Sequence, residues 1–193
     1  MEKGQIISKY EGLLKIDLYN IPHPDWIFIS SEKDIPINPK IDAPFGWTIR
    51  SCPKRNYAFK LPCKNKIDYK QVVYFWKKFN DETGNDQYII YPSWEFKFSG
   101  GMILTFNELV VEVINGNIAS LLEGIKTPDS VYYSTGPYFN TLIHKRGDED
   151  LISLYFKKIF LRTGNKIFVN NYTVLEWSIT SQGNIYFHDL VEF

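Results

Sequence analysis

Residues 87–114 read QYIIYPSWEFKFSGGMILTFNELVVEVI, a succession of short runs rich in β-branched and aromatic residues with breaks between them. This stretch constrains the chain more than any other. Each run is short for a helix and suits a half-buried strand. The runs at 87–91, 94–98, 101–106 and 108–114 are predicted as successive strands of an antiparallel sheet. Aromatic residues make up 17% of the chain, and their recurrence in short alternating runs favours sheet throughout. Further strands are predicted at 26–30 (WIFIS), 46–51 (GWTIRS) and 130–134 (SVYYS).

Helical spacing is confined to a few segments. Residues 8–20 place Leu13, Leu14, Ile16 and Leu18 in a short helix that Gly12 weakens. Residues 68–79 carry Val72, Val73, Phe75, Trp76 and Phe79 at helical spacing. Residues 147–164 open with an acidic turn, continue in a stripe of Leu151, Leu154, Tyr155, Ile159 and Phe160, and close on Gly164. NGNIASLLEG, after the last strand of the meander, offers another short helix. Residues 31–45 read as loop, and 52–66 as a basic, Pro-flanked loop or an irregular strand pair. The fold class is α+β, with two helix-bearing regions around antiparallel sheets. A chain of 193 residues, 44% of them apolar, has material for one domain or two small subdomains.

Several function classes fall away. A formal net charge of zero supplies no global pull toward nucleic acid or a membrane surface. Cys52 and Cys63 are too few for a disulfide framework and lack metal-site spacing, so they read as reduced thiols of a cytoplasmic protein. The opening MEKGQIISKYEG lacks the apolar segment of a signal peptide, and no apolar run approaches the roughly 20 residues of a membrane helix. His23, His144 and His188 are scattered without zinc spacing. There is no P-loop, no dinucleotide-binding glycine fingerprint and no nucleophile elbow.

The last twenty residues, VLEWSITSQGNIYFHDLVEF, carry a β-hairpin signal. A two-residue loop at Gln182-Gly183 pairs Thr180 with Ile185 and sets Glu176 directly opposite Asp189. Like charges facing each other across a ladder are destabilising. A divalent cation between them reverses the sign, and Mg2+ commonly takes one or two carboxylates plus substrate phosphates. A three-residue loop has a different outcome: Glu176 then pairs with His188, and Asp189 turns to the other face.

Complementary charge lies earlier. Arg50 ends the strand GWTIR, and Lys54, Arg55, Lys60, Lys64 and Lys66 follow, interleaved with Tyr57 and Phe59. Such donors suit phosphate, and with aromatics they also suit single-stranded nucleic acid. A solvated basic loop is the plainer reading, as an exposed helix lysine is for Lys9.

In order, these segments resemble the ATP-grasp nucleotide-binding domain of pyruvate phosphate dikinase and phosphoenolpyruvate synthase. SKYEGLLKIDLYNIPHPDWIFIS looks like the family's GGK-x-x-N-L opening, its helix and its Pro-containing turn, with Lys9, Leu13, Pro22 and Pro24 on matching positions. WTIRSCP is similar to V-R-S-S and puts Arg50 on a phosphate-binding arginine. YAFKLPC falls on the loop over the phosphates. QYIIYPSWEFKFSGGMILTF resembles the stretch that holds adenine, with Tyr91, Pro92, Ser93 and Trp94 at that place. ELVVEVINGNIASLLEGIKTPDSVYY and the closing EWSITSQGNIY match the later motifs, the last of them the most specific.

The resemblance implies an ATP-grasp-like fold of two subdomains, 1–85 and 86–193, with a cleft between them. It implies ATP bound with Mg2+, the metal on Glu176 and Asp189, and phosphate oxygens on Lys9, Arg50 and Lys60. The implied activity is Mg-dependent phosphoryl transfer or ligation, catalysed by positioning and charge stabilisation, with a separate acceptor protein or domain as partner. Departures from the family pattern support an alternative, a degenerate nucleotide-binding module with a regulatory or interaction role. Val191 stands on the family's terminal arginine, Ile7-Ser8 on its double glycine, and the phosphate-loop glycine is missing. A nucleic-acid module using residues 50–66 is a further alternative, which the zero net charge and the motif order argue against.

Overall fold

A computed structural model of the chain describes residues 7–55, 61–84, 87–116, 118, 125–135, 141–146 and 172–193. Contacts divide the chain into two units, one of residues 8–11 and 24–95, the other of residues 1–7, 12–23 and 96–193.

The smaller unit holds a four-stranded sheet in the order β1-β4-β2-β3: β1 (Ile27–Ile29), β2 (Trp47–Ser51), β3 (Cys63–Ile67) and β4 (Tyr88–Pro92). Trp47, Ile49, Tyr88 and Ile90 alternate onto one face and pack with Val72 and Phe79 of helix α2 (Val72–Thr83). Asp68 caps the turn that leads into α2, accepting a hydrogen bond from the Lys70 amide at 2.9 Å. Gly84, in the left-handed region at φ 61°, ends it. Outer strand β3 is exposed at four of its five positions, so it lacks the apolar alternation that would mark it in sequence. Its lysines suit a sheet edge.

The larger unit holds a six-stranded antiparallel sheet, β10-β9-β5-β6-β7-β8. Its strands are β5 (Phe96–Leu104), β6 (Glu108–Asn115), β7 (Ser130–Thr135), β8 (Thr141–Arg146), β9 (Thr173–Thr180) and β10 (Ile185–Glu192). Trp177, Phe187, Met102, Leu104 and Leu175 are fully buried and form the centre of its core face.

The two runs predicted at 94–98 and 101–106 are one strand, β5. Ser99-Gly100-Gly101 resembles a break but is a point of close packing. A Cβ on Gly100 would lie 1.8 Å from the Glu112 carbonyl oxygen and 2.8 Å from Trp177 Cζ2. Helix α1 (Lys9–Leu18) follows the same logic: a Cβ on Gly12 would lie 2.0 Å from the Leu190 carbonyl oxygen. The glycine that weakens the helix in sequence is what lets it sit on β10. Ser8 caps α1, its amide and hydroxyl donating to the Glu11 carboxylate at 2.7 and 2.9 Å. The helix expected at 147–164 lies outside the described residues; of the stretch 115–124, Asn115 ends β6, Gly116 follows it at φ 87°, and only Ile118 is described beyond them.

Candidate functional site

The closing hairpin decides whether the two acids meet. Its loop has three residues, 181–183, not two: Thr180 donates its amide to Asn184 at 2.9 Å, and Gly183 takes φ 85°. The ladder therefore starts as Ile179 with Ile185 and continues as Ser178 with Tyr186 and Trp177 with Phe187. Carried on, it would set Glu176 against His188. The register instead shifts between Phe187 and Asp189, and Glu176 pairs with Asp189. His188 is the extra residue of a β-bulge, so two residues of β10 oppose one of β9.

Directly opposed residues project from the same face of an antiparallel pair. Glu176 and Asp189 thus share the face away from Trp177 and Phe187. Asp189 is buried, and the Glu176 side chain is 21% exposed. His188 Nδ1 lies 3.8 Å from Glu176 Oε2, beyond hydrogen-bond length. Along the same face, Glu176 is opposite Gly101 of β5. A Cβ on Gly101 would meet only Glu112 Oε2, at 3.9 Å. Glu112 therefore leans over Gly101 from β6, and burial pushes its carboxyl above the usual carboxylate range. Two hard oxygen donors on neighbouring strands fit a divalent cation, which would cancel their repulsion. Among the described residues no group of three or more His, Cys, Asp or Glu could hold a metal by itself, so the pair fits an ion whose other positions belong to a ligand.

In the smaller unit, the face away from α2 collects the cations. Thr48 and Arg50 alternate with the core residues of β2; Thr48 pairs with Tyr91, and Arg50 with Ile89 and Cys63. Tyr10 of α1 packs edge-on against Phe28 at 5.2 Å, and its amide donates to the Pro53 carbonyl at 3.4 Å. Cys63 is exposed on the edge strand, yet partial desolvation of its thiol pushes the pKa up, and the charges of Arg50 and Lys9 both pull it back down. Arg50 is opposite Cys63 across the β2–β3 ladder, which places it on this face.

No protein-family model matches the chain, and no curated protein matches its sequence. Solved structures do match. N5-carboxyaminoimidazole synthetase from Staphylococcus aureus, complexed with ADP, matches with a TM-score of 0.57 at 11% identity, over 95% of this chain and 44% of that one. D-Alanine-D-alanine ligase from Helicobacter pylori matches with a TM-score of 0.51 at 9% identity, over 95% of this chain and 50% of that one. L-amino acid ligase from Bacillus licheniformis matches with a TM-score of 0.51 at 10% identity, over 95% of this chain and 39% of that one. The fold is ATP-grasp.

The chain spans half or less of the length of these three ATP-grasp enzymes. They are ligases and synthetases, and they do not single out the dikinase branch that the motif order resembles. On the ATP-grasp frame the residues named from sequence fall into two groups. Arg50 and Tyr91 lie on one face of the smaller unit, and Lys9 opens helix α1; Glu176 and Asp189 lie on one face of the larger. Pro92 ends β4, paired with Trp47. Tyr91 and Trp94 are both buried, with ring centroids 5.5 Å apart. The Ser93 hydroxyl is engaged inside its own unit, 2.8 Å from Thr48 Oγ1 and accepting from the Lys66 amide at 3.0 Å. Lys60 lies outside the described residues. Of the other cations, Lys54 and Lys64 stand over the rings of Tyr10 and Phe75 at 5.3 and 6.0 Å.

Three residues of the acid face were not singled out in sequence as members of this site: Gly101, Glu112 and His188. The alternation of ELVVEVI already puts Glu108, Val110 and Glu112 on one face of β6. Nothing in the sequence marks the bulge that adds His188.

Proposed function

We propose that this chain binds ATP with a divalent cation, as the nucleotide-binding part of a phosphotransferase or ligase. The observation that carries the reading is the Glu176–Asp189 pair. A bulge is the device that brings the two acids opposite each other, and a cation between facing carboxylates turns their repulsion into attraction. In this reading Glu176 and Asp189 hold Mg2+, which when bound supplies charge for the β- and γ-phosphates. Lys9, Arg50 and Lys60 donate to phosphate oxygens, and Tyr91, Pro92, Ser93 and Trp94 enclose the base, Ser93 through its backbone. Catalysis consists of positioning and charge neutralisation. The ADP named for the Staphylococcus aureus enzyme supports the choice of nucleotide. A phosphoryl acceptor on a separate protein or domain, as in a dikinase, and a cytoplasmic setting belong to the same proposal.

A second reading, nucleotide binding without turnover, is favoured by Val191. On the acid face it pairs with Val174, so an apolar pair stands where the family resemblance implies an arginine.

Calorimetric titration with ATP, with and without Mg2+, tests the first step. ATP at about 100 times its Kd stabilises the fold by about 2.7 kcal/mol. No binding in either condition defeats both readings. Binding that Mg2+ leaves unaltered, with no hydrolysis or phosphoryl transfer, defeats the enzyme and leaves the module.

A further inference from the structure

The ladder that opposes Glu176 and Asp189 runs on past them as Leu175 with Leu190, Val174 with Val191 and Thr173 with Glu192. The Phe193 amide donates to the Tyr172 carbonyl at 3.0 Å, which extends the pairing by one more step. Alternation turns Leu175 and Leu190 into the core and leaves Val174, Val191, Tyr172 and Phe193 on the acid face. The Tyr172 and Phe193 rings meet edge to face, centroids 5.7 Å apart, so they share one side of the ladder.

Two apolar pairs therefore lead away from the acid pair along one face. At about 3.3 Å per residue, four residues set the rings about 13 Å from the carboxylates. Val174 and Val191 are half-buried, and Tyr172 and Phe193 are 43% and 45% exposed. Ile103 of β5 lies beside Val174, and Val110 of β6 beside Ile103, both half-buried. Past Val110 the Tyr133 hydroxyl donates to Glu108 at 2.8 Å, so the strip ends on a polar rim. Single apolar residues on a surface need no explanation; a contiguous strip with a polar rim marks a binding surface. A protein laid flat over it would also strip water from Glu176 and Asp189, which is costly. A small molecule that is polar at one end covers the strip and leaves the acids their cation.

We infer that the second substrate of this site is a small amphiphile, with an oxygen-bearing head at the Glu176–Asp189 pair and an apolar body laid along Val174, Val191, Tyr172 and Phe193. This rests on the nucleotide reading above and adds the chemical class of the acceptor to it. The valine at 191 then has a role of its own, since an arginine there would interrupt the strip with a charge.

The test titrates the protein, loaded with Mg2+ and a non-hydrolysable ATP analogue, with straight-chain alkanoates from butyrate to octanoate. Methyl NMR of 13C-labelled valine and isoleucine reads where each one binds, and the same titrations give its affinity. The expected result is a set of shifts at Val174, Val191 and Ile103, with affinity rising roughly twofold to fourfold per added methylene. Tyr172→Ser and Phe193→Ser should each flatten that rise and leave the affinity for the analogue unchanged. Affinity independent of chain length, or shifts elsewhere in the protein, overturns the inference and leaves nucleotide binding intact. So does self-association that Tyr172→Ser abolishes, since the rings then belong to a protein interface. The parent titration alone decides if the variants fail to fold. An analogue that does not bind in calorimetry overturns the nucleotide reading and this inference with it.

Discussion

Gly101 faces Glu176 across the β5–β9 ladder, and a methyl group added there would approach nothing closer than 3.9 Å. Its neighbour Gly100 has no such room. The two glycines therefore separate packing from function. Gly100→Ala should cost about 3 kcal/mol or more, because backbone and an indole ring bar the methyl. Gly101→Ala should be neutral or stabilise by about 0.4–1 kcal/mol through the unfolded chain. Gly101→Leu should fold and lose metal-dependent nucleotide affinity by covering the acid face. Urea melts beside ATP titrations check all three; a Gly101→Leu protein that binds as the parent does removes Gly101 from the site.

Glu176→Gln removes one of two facing charges while keeping size. The metal-free protein should gain stability, by a few tenths to about 1 kcal/mol. The added affinity that a divalent cation gives to ATP should fall. Stability gained with metal dependence unchanged would mean that the acids only strain the hairpin.

Arg50 is paired opposite Cys63, and the charges of Arg50 and Lys9 both act on the thiol, which reports on them without any nucleotide. Both cations favour the thiolate, so Arg50→Ala and Lys9→Ala should each raise the thiol pKa further. The pH profile of alkylation, followed by mass spectrometry at Cys63, should move to higher pH in both variants. A profile that stays in place in either one separates that cation from Cys63.

Burial holds the Glu112 carboxyl above its ordinary value, so the folded state binds this proton more tightly than the unfolded chain does. The stability this contributes is fully present below the unfolded pKa of about 4.3 and is lost as pH rises through the folded pKa. Glu112→Gln should flatten that decline and leave the protein more stable at neutral pH. Urea unfolding from about pH 4 to 7 measures it; parallel curves for parent and variant would refute it.

Ser93 ties Thr48 to the Lys66 amide, and Lys66 is held in the left-handed region at φ 58°. Ser93→Ala removes the acceptor of the Lys66 amide and the hydrogen-bond partner of the buried Thr48 hydroxyl, and should cost about 1–3 kcal/mol. Thermal melts of the variant give the value.

The sequence revealed most of the sheet because β6 alternates, and because β4 is an apolar run buried at four of its five positions. It hid β3, whose CKNKI exposes four of five side chains, and β8, a polar edge run, TLIHKR, never singled out as a strand. It split β5 because small residues forced by close packing look like a turn. The acid pair was legible through two errors that cancel. The loop is one residue longer than Gln182-Gly183, and the bulge at His188 takes up the difference. The bulge is flanked by neighbours distant in sequence: Phe187 donates its amide to the Pro22 carbonyl at 2.8 Å, and α1 lies against Leu190. Lys9 stood out only through the order of motifs, whereas Arg50 was also legible as the head of a basic segment; its neighbour Cys63 is brought in by strand pairing.

The extra residue at 188 also fixes how this strand compares with others. A hairpin with the same two acids and a straight ladder would be one residue shorter here, and the true correspondence would be a gap at 188. Matching the two position by position from the C-terminus would set His188 on the straight strand's residue before its acid, and every residue upstream would fall one place out of step. Deletion of His188 is thus a smaller change to this sheet than many substitutions, and a chain so shortened should keep Glu176 and Asp189 face to face.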